Sequence, residues 1–444
     1  MNEITPELEA KIAALEKSIA TVNALNIEMF YWWCTALMVA IHAGFLAYEM
    51  GASRSKNALA SGIKNLLAFA FLVPSFYYIG WWIYNAFPGG IIPGDAGGAL
   101  PWSANMGPNL GDQASGVFYA AFTLFAATTA SIMSGAVIER IRMSGFTILA
   151  IILGAVVWIL GAAWGWHPAG WLTAQWGLHD TGAAGCVHTV AGFFTLGVLI
   201  NLGPRMGRYN ADGSLNEIPG HNMPMSLIGL MLIVMGFFGF LGGCIIYTPD
   251  GWLTIYNTPT TLSAFAFNTL MGVGGGMIGA YLMTRDPFWM MSGALIGVIS
   301  SAPALDLYYP GLAFLISFFG GLIIPKLNDL IVVKFKIDDA VGAVAVHGGS
   351  GIYGLLMAGI FASGYLNVEG PQISFAGQFM SAVVFALLGF VPGYALSWLL
   401  KLVGLLRASP GVELAGLDKV EIPAKAYPEA AVPAFDLSPV SPAE

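Results

Sequence analysis

Two histidines lie deep inside apolar stretches of this chain. His188 closes Gly185-Cys186-Val187-His188 and is followed by Gly192; His347 closes Val344-Ala345-Val346-His347 and is followed by Gly351. A neutral imidazole donates from one ring nitrogen and accepts at the other, so two of them in contact form a hydrogen-bonded wire. A charge inside a bilayer costs about 2.5–3.5 kcal/mol on insertion scales, so ionisable groups there are rare and point to function. A single such histidine reads equally well as a neutral side chain bonded to a backbone carbonyl. Two in matching stretches shift the reading towards a path through the protein.

Other residue types could act on the same path. Asp180, eight residues before His188, opens the stretch and is expected to cap its helix through the N–H groups of Gly182 and Ala183. Its charge would also attract a cation. Phe125, Trp166, Phe237, Phe238 and Phe240 fall near the ends of apolar runs and could hold a cation over their rings, worth about 0.5–2 kcal/mol. Taken singly, each reads as core or as an interface-belt aromatic. Cys34, Cys186 and Cys244 all sit in apolar runs and read as small buried hydrophobes, not as a disulfide or zinc set. His179, Asp180 and His188 form a conceivable metal set. However, no nucleophile with a partnered base and no His-Glu motif on one helix face accompanies them, so neither an enzyme, a metal nor a cofactor is expected. The glycine run Gly272 to Gly276 lies inside a hydrophobic span and reads as close helix packing rather than a nucleotide loop.

The elements that must position these groups are membrane spans. Of 444 residues, 57% are hydrophobic and 9% charged, with mean hydropathy +0.73; soluble domains carry about 25% charged residues. Apolar runs of about twenty residues, enough for a hydrocarbon core of about 30 Å, recur about eleven times. The expected spans are 27–50, 59–86, 115–138, 144–166, 182–203, 224–247, 263–283, 288–304, 311–333, 339–362 and 374–403. The fold class is therefore an all-α polytopic membrane protein without a soluble domain. The two histidine stretches lie five spans apart, which predicts an inverted 5+5 repeat with a final helix outside it.

Lys and Arg give the orientation. Arg54, Lys56 and Lys64 flank the first break; Arg140 and Arg142, Arg205 and Arg208, Arg285, and Lys334 and Lys336 fall in every second break after it. The positive-inside rule then puts the N-terminus outside and the tail inside. Residues 1–26 are expected to form an external helix, 27–403 the transmembrane domain and 404–444 a cytoplasmic tail. Leu8, Ile12, Leu15, Ile19 and Val22 make one helical stripe in the first segment, suited either to a neighbouring helix or to an extended first span. That segment is acidic and has no basic n-region, so no signal peptide is expected. The net charge of −8 gives no sign of a nucleic-acid partner.

In order and spacing, these features resemble the ammonium transporter (Amt/Mep/Rh) family from the first span into the tail. The matching residues are Ala43-Gly44-Phe45 with Lys56-Asn57, Ser134-Gly135-Ala136 with Glu139-Arg140, and Asp180 before His188. Pro219-Gly220-His221-Asn222, Gly239-Phe240 and Asp338-Asp339 before Val346-His347-Gly348 continue the match, and Gly416-Leu417-Asp418 and Ala426-Tyr427-Pro428 resemble its regulatory tail. The resemblance implies a homotrimer in a cell membrane, a bacterial inner membrane fitting best, with one pore per subunit for ammonium, ammonia or methylammonium. It implies that His188 and His347 line the pore, that Asp180 and Trp166 belong to an outer recruitment site, and that Phe125 and Phe240 are paired constriction rings. Phe122, Phe237 and Cys244 fall at the remaining gate and site positions. The resemblance also implies a PII-type signal protein as cytoplasmic partner.

The pattern departs mainly around the outer site. Ala121 replaces a phenylalanine, Phe237 a tryptophan, Leu241 an asparagine, Cys244 a serine and Gly342 an aspartate; a strict register would put His167 where Trp166 is assigned. A sensor with little flux, or a channel for another small neutral molecule or amine, are the alternatives these departures motivate.

Overall fold

The computed structural model describes residues 5–97, 99–100, 113–365, 370–422 and 424–428. Among them, eleven helices are long and apolar enough to cross a membrane. In chain order these spans are Pro6–Ala52, Ser55–Ala86, Gly116–Ala136, Met143–Gly165, Ala184–Leu202, Met223–Gly242, Leu262–Thr284, Pro287–Ala304, Pro310–Lys334, Val344–Phe361 and Phe375–Leu402. Their starts are written locally. The side chains of Thr5, Asn222, Thr261, Asp286 and Ser374 each accept a backbone N–H from the first turn, and a proline stands at the start of the first, sixth, eighth and ninth spans.

Three differences from the expected boundaries have physical causes. The first span runs unbroken from Pro6, so the expected external helix and the first membrane helix are one element of 47 residues. At 1.5 Å per residue it is about 70 Å long, more than twice a hydrocarbon core. The sixth span stops at Gly242, not near 247, because β-branched Ile245–Thr248 (β1) pairs antiparallel with Gly251–Thr254 (β2), which pairs with Pro259–Thr260 (β3). The tenth span starts at Val344 rather than 339, after Gly342 takes a left-handed φ of 75°. Residues 98 and 101–112 of the connection between the second and third spans lie outside the described residues, as do 1–4 and 429–444 of the terminal segments.

The fifth and tenth spans pack against each other head to tail: the later part of each lies on the first turn of the other. A Cβ at Gly192 would overlap the backbone of Gly348, and one at Gly351 would overlap Ala184 and Thr189. Each glycine stands four residues after its histidine and touches the residue just after the other, so this pair of spans is related by a local twofold. Small residues let the two backbones approach this closely without a hydrophobic driving force between them.

At the Lys/Arg-bearing face, buried ion pairs tie the connecting segments. Arg54 bonds Glu139 at 2.6 Å, and Arg205 grips Asp338 through Nε and Nη2, both at 2.9 Å. The tail docks there too, with the Asp418 carboxylate taking the N–H groups of Leu59 and Ala60 at 3.0 and 2.7 Å and Lys56 Nζ donating to the Glu413 and Leu414 carbonyls. Burial alone would raise the Asp338 carboxyl, but Arg140 and Arg205 outweigh it and hold it far below the ordinary carboxylate range. A depressed carboxyl stabilises the fold fully above its unfolded pKa of about 3.9 and loses that contribution only as pH falls towards its folded value. Thermal unfolding in detergent should therefore show no change from Asp338 between neutral and mildly acid pH, with loss setting in below about pH 4. Asp338→Asn, which leaves Arg205 buried with only its longer 3.9 Å pairing to Glu139, should lower stability by up to about 3–5 kcal/mol at neutral pH.

Candidate functional site

Both histidines occupy a wide, π-helical first turn, Ala184–Thr189 for His188 and Val344–Gly349 for His347. Such turns push one residue out of the regular ladder and recur at functional positions. A helix that begins inside a protein must find acceptors for its first N–H groups. Asp180 Oδ2 accepts from Gly185 and Cys186, both at 2.9 Å, while Asp339 accepts from Gly342 at 2.9 Å and from Val344 at 2.7 Å. The sequence-based expectation that Asp180 caps through Gly182 and Ala183 is corrected. Ala183 is left-handed (φ 67°), its N–H returns to the Asp180 carbonyl, and that of Gly182 goes to Ala302 O, so the carboxylate takes donors further along the turn instead.

The matching role of Asp339 was missed, although its signal is plain: it stands eight residues before His347, as Asp180 does before His188. Burial pushes the Asp180 carboxyl upward while the N–H groups of Cys186 and Gly185 pull it back. Its second oxygen, Oδ1, is buried with no hydrogen-bond donor among the described residues.

The imidazoles meet at 3.0 Å between the two Nδ1 atoms, with ring centroids 5.1 Å apart, nearly parallel at 19°, and both side chains buried. On one side of this pair stand the aromatic rings. Phe240 lies 5.9 Å and Phe237 6.0 Å from His188, and Phe125 closes on Phe240 at 4.2 Å. Trp166 meets Phe125 edge-on at 5.5 Å, and Phe122 packs 5.9 Å from both. Of the two neighbours, Trp166 is buried here with its indole N–H on the Asp180 carbonyl at 2.9 Å, whereas His167 is partly exposed and packs against Tyr84. On the other side of the histidines, Phe45, Ile132, Val346 and His347 line a cavity of about 10 Å³, room for about one water.

Two predicted residues behave differently. Phe238 points away from the pathway and is 37% exposed, because the helix turns it about 100° from its neighbours Phe237 and Gly239. Cys244 is buried near the rings, but its thiol is committed to the Phe240 carbonyl at 3.4 Å. His179 does not join Asp180 and His188; it bonds Asp306 at 3.0 and 3.1 Å, and Thr181 and Thr258 donate to the same carboxylate. Tyr256 packs on His179 at 4.7 Å, with the rings tilted by 32°, and accepts the Asp180 N–H, so this cluster braces the approach to Asp180. Sequence reading missed Asp306, a lone carboxylate directly after an apolar run.

A buried pair of imidazoles beneath stacked aromatic rings, enclosed by eleven spans, defines a multi-pass membrane transporter or channel. The profile of the Ammonium Transporter Family matches residues 29–427. Ammonium transporter Amt2 of Archaeoglobus fulgidus is 31% identical over 418 residues, covering 89% of this chain and 86% of its own. Among solved structures, a "Sensor Amt Protein" is similar at TM-score 0.79 and 26% identity, covering 91% of this chain and 100% of its own. Mep2 of Candida albicans follows the same fold at TM-score 0.70 and 22% identity, covering 93% and 92%. The chain belongs to the ammonium transporter family.

Removing either capping carboxylate should loosen the turn that carries its histidine. Asp180→Ala and Asp339→Ala each strand at least two buried N–H groups and are expected to lower stability by about 1–3 kcal/mol or more. The Asn variants keep an acceptor and should lose less. Thermal unfolding of the four purified variants, ranked against the parent chain, checks this order.

Proposed function

We propose that ammonium is drawn to the aromatic side of the site, gives up a proton near Asp180 and Phe125, and crosses as ammonia along His188 and His347. The observation that carries this reading is the 3.0 Å contact between the two buried Nδ1 atoms, directly beneath the closed Phe125 and Phe240 rings. A cation meets a large desolvation cost in an apolar passage, whereas neutral ammonia does not. Ring faces of Phe122, Phe125 and Trp166 would hold the cation until it releases its proton. Phe125 and Phe240 touch, so these rings must part for each passage. Potassium has no proton to release and is excluded.

The neutral pair has a definite chemistry. Only one proton fits between the facing Nδ1 atoms, so one imidazole donates there and the other accepts. The donor then offers a bare Nε2 to the pathway and the acceptor an Nε2–H, giving ammonia one acceptor and one donor site in sequence. The same reading takes the chain as a homotrimer in a bacterial inner membrane, with the N-terminus outside, the tail cytoplasmic, and a PII-type signal protein acting at the Lys/Arg-bearing face. A second reading, ammonium sensing with little flux, is favoured by the likeness to the sensor structure and by Cys244 being committed to a backbone carbonyl.

Ammonium-evoked current in proteoliposomes, with potassium as control cation, separates them. A saturable ammonium current, absent with potassium and altered in His188→Ala combined with His347→Ala, supports transport through the twin-histidine pathway. No ammonium flux by current or by internal pH change, in correctly assembled protein that still binds ammonium, favours sensing.

A further inference from the structure

We propose that residues 6–33 of neighbouring copies pack as a parallel coiled coil standing on the membrane surface. The stripe Leu8, Ile12, Leu15, Ile19 and Val22 alternates spacings of four and three, and continues in phase through Asn26, Met29 and Trp33. Every one of these side chains is exposed in the single subunit, Leu15 at 61% and Trp33 at 61%. In heptad terms Ile12, Ile19, Asn26 and Trp33 take a positions, and Leu8, Leu15, Val22 and Met29 take d positions. Helical stability in proteins comes mainly from packing of the apolar face, and this face has no partner within the subunit.

The occupant is identified by geometry and charge. All copies of a membrane protein insert in one orientation, so their first helices are parallel and level. In a parallel pair each g position faces the e position five residues later on the partner helix. Here Lys11 faces Glu16, Ser18 faces Asn23 and Leu25 faces Phe30: opposite charges, then polar with polar, then apolar with apolar. In the single subunit Lys11 is held by Glu7 at 2.7 Å on the exposed surface, a contact it can exchange. Asn26 is the one polar a position, the device that fixes register in such seams. The helix leaves the membrane at a set angle because Tyr31 donates to the Ile245 carbonyl at 2.6 Å and Phe30 packs on Trp252 at 4.5 Å, both within the β1 to β2 hairpin.

Cysteine crosslinking of the full chain in native membranes tests this. Leu15→Cys, at a d position, should form interchain disulfides under mild oxidation several-fold more readily than Lys17→Cys on the outer face. The parent chain, whose three cysteines are buried, reports the background. Lys11→Glu should depress the Leu15→Cys crosslink, and adding Glu16→Lys should restore it. Equal crosslinking at 15 and 17, none at 15, or no rescue by the charge swap would overturn the proposal. A bundle held together through its spans alone predicts one of those three results.

Discussion

Backbone N–H groups that start a helix inside an apolar interior have no water to turn to, and the whole site hangs on how this chain satisfies them. The fifth and tenth spans both begin within the protein, and in each a carboxylate eight residues before the histidine takes the free donors. The anchored N–H groups fix the first turn, and the fixed turn aims the imidazole. Because Gly192 and Gly351 let each span press on the other's first turn, the two aimed imidazoles meet. An unsatisfied buried donor costs about 1–3 kcal/mol, so a slack cap would relax into a different turn and separate the rings.

The aromatic side rests on the same anchor. Trp166 reaches its position by donating to the Asp180 carbonyl, and Tyr256 holds the Asp180 N–H from the hairpin side. The Asp306 carboxylate gathers His179, Thr181 and Thr258, joining the end of the eighth span to the loop before the fifth. Burial alone would raise the Asp306 carboxyl, and its contact with His179 more than reverses that and holds it below the ordinary carboxylate range, so the hydrogen-bonded carboxylate braces the loops around Asp180. The Phe125 and Phe240 rings close over His188 beside Trp166, whose indole is held by the Asp180 carbonyl.

The spans and the two histidines were legible in the sequence because each depends on local pattern: hydrophobic length, residue type inside a run, and spacing; the pairing of Phe125 with Phe240 came only from the family resemblance. Phe238 was not, since a run such as Phe237-Phe238-Gly239-Phe240 is apolar all round and only packing against the first span decides which ring faces inward. The donors that Asp180 reaches depended on one left-handed residue, Ala183, at a position where an alanine gives no such signal. Asp306 and His179 meet across 127 residues, beyond any local pattern. The hairpin at Ile245 was hidden because Ile-Ile-Tyr also extends an apolar helix, and the turn residues Pro249, Asp250 and Gly251 reverse the chain only once the strands pair.

The local twofold has a chemical consequence of its own. It makes His188 and His347 near equivalents, with the same turn, the same capping group and the same glycine four residues on. Yet the single proton between two Nδ1 atoms cannot be shared evenly in a neutral pair, so the wire always has a donor end and an acceptor end. Near-equivalent surroundings leave the two tautomeric arrangements close in energy. What biases them must come from outside this pair of spans: Phe237 and Phe240 pack on His188, while His347 faces the small cavity beyond. The asymmetric rings, laid on a near-equivalent pair of turns, give the two imidazoles different surroundings.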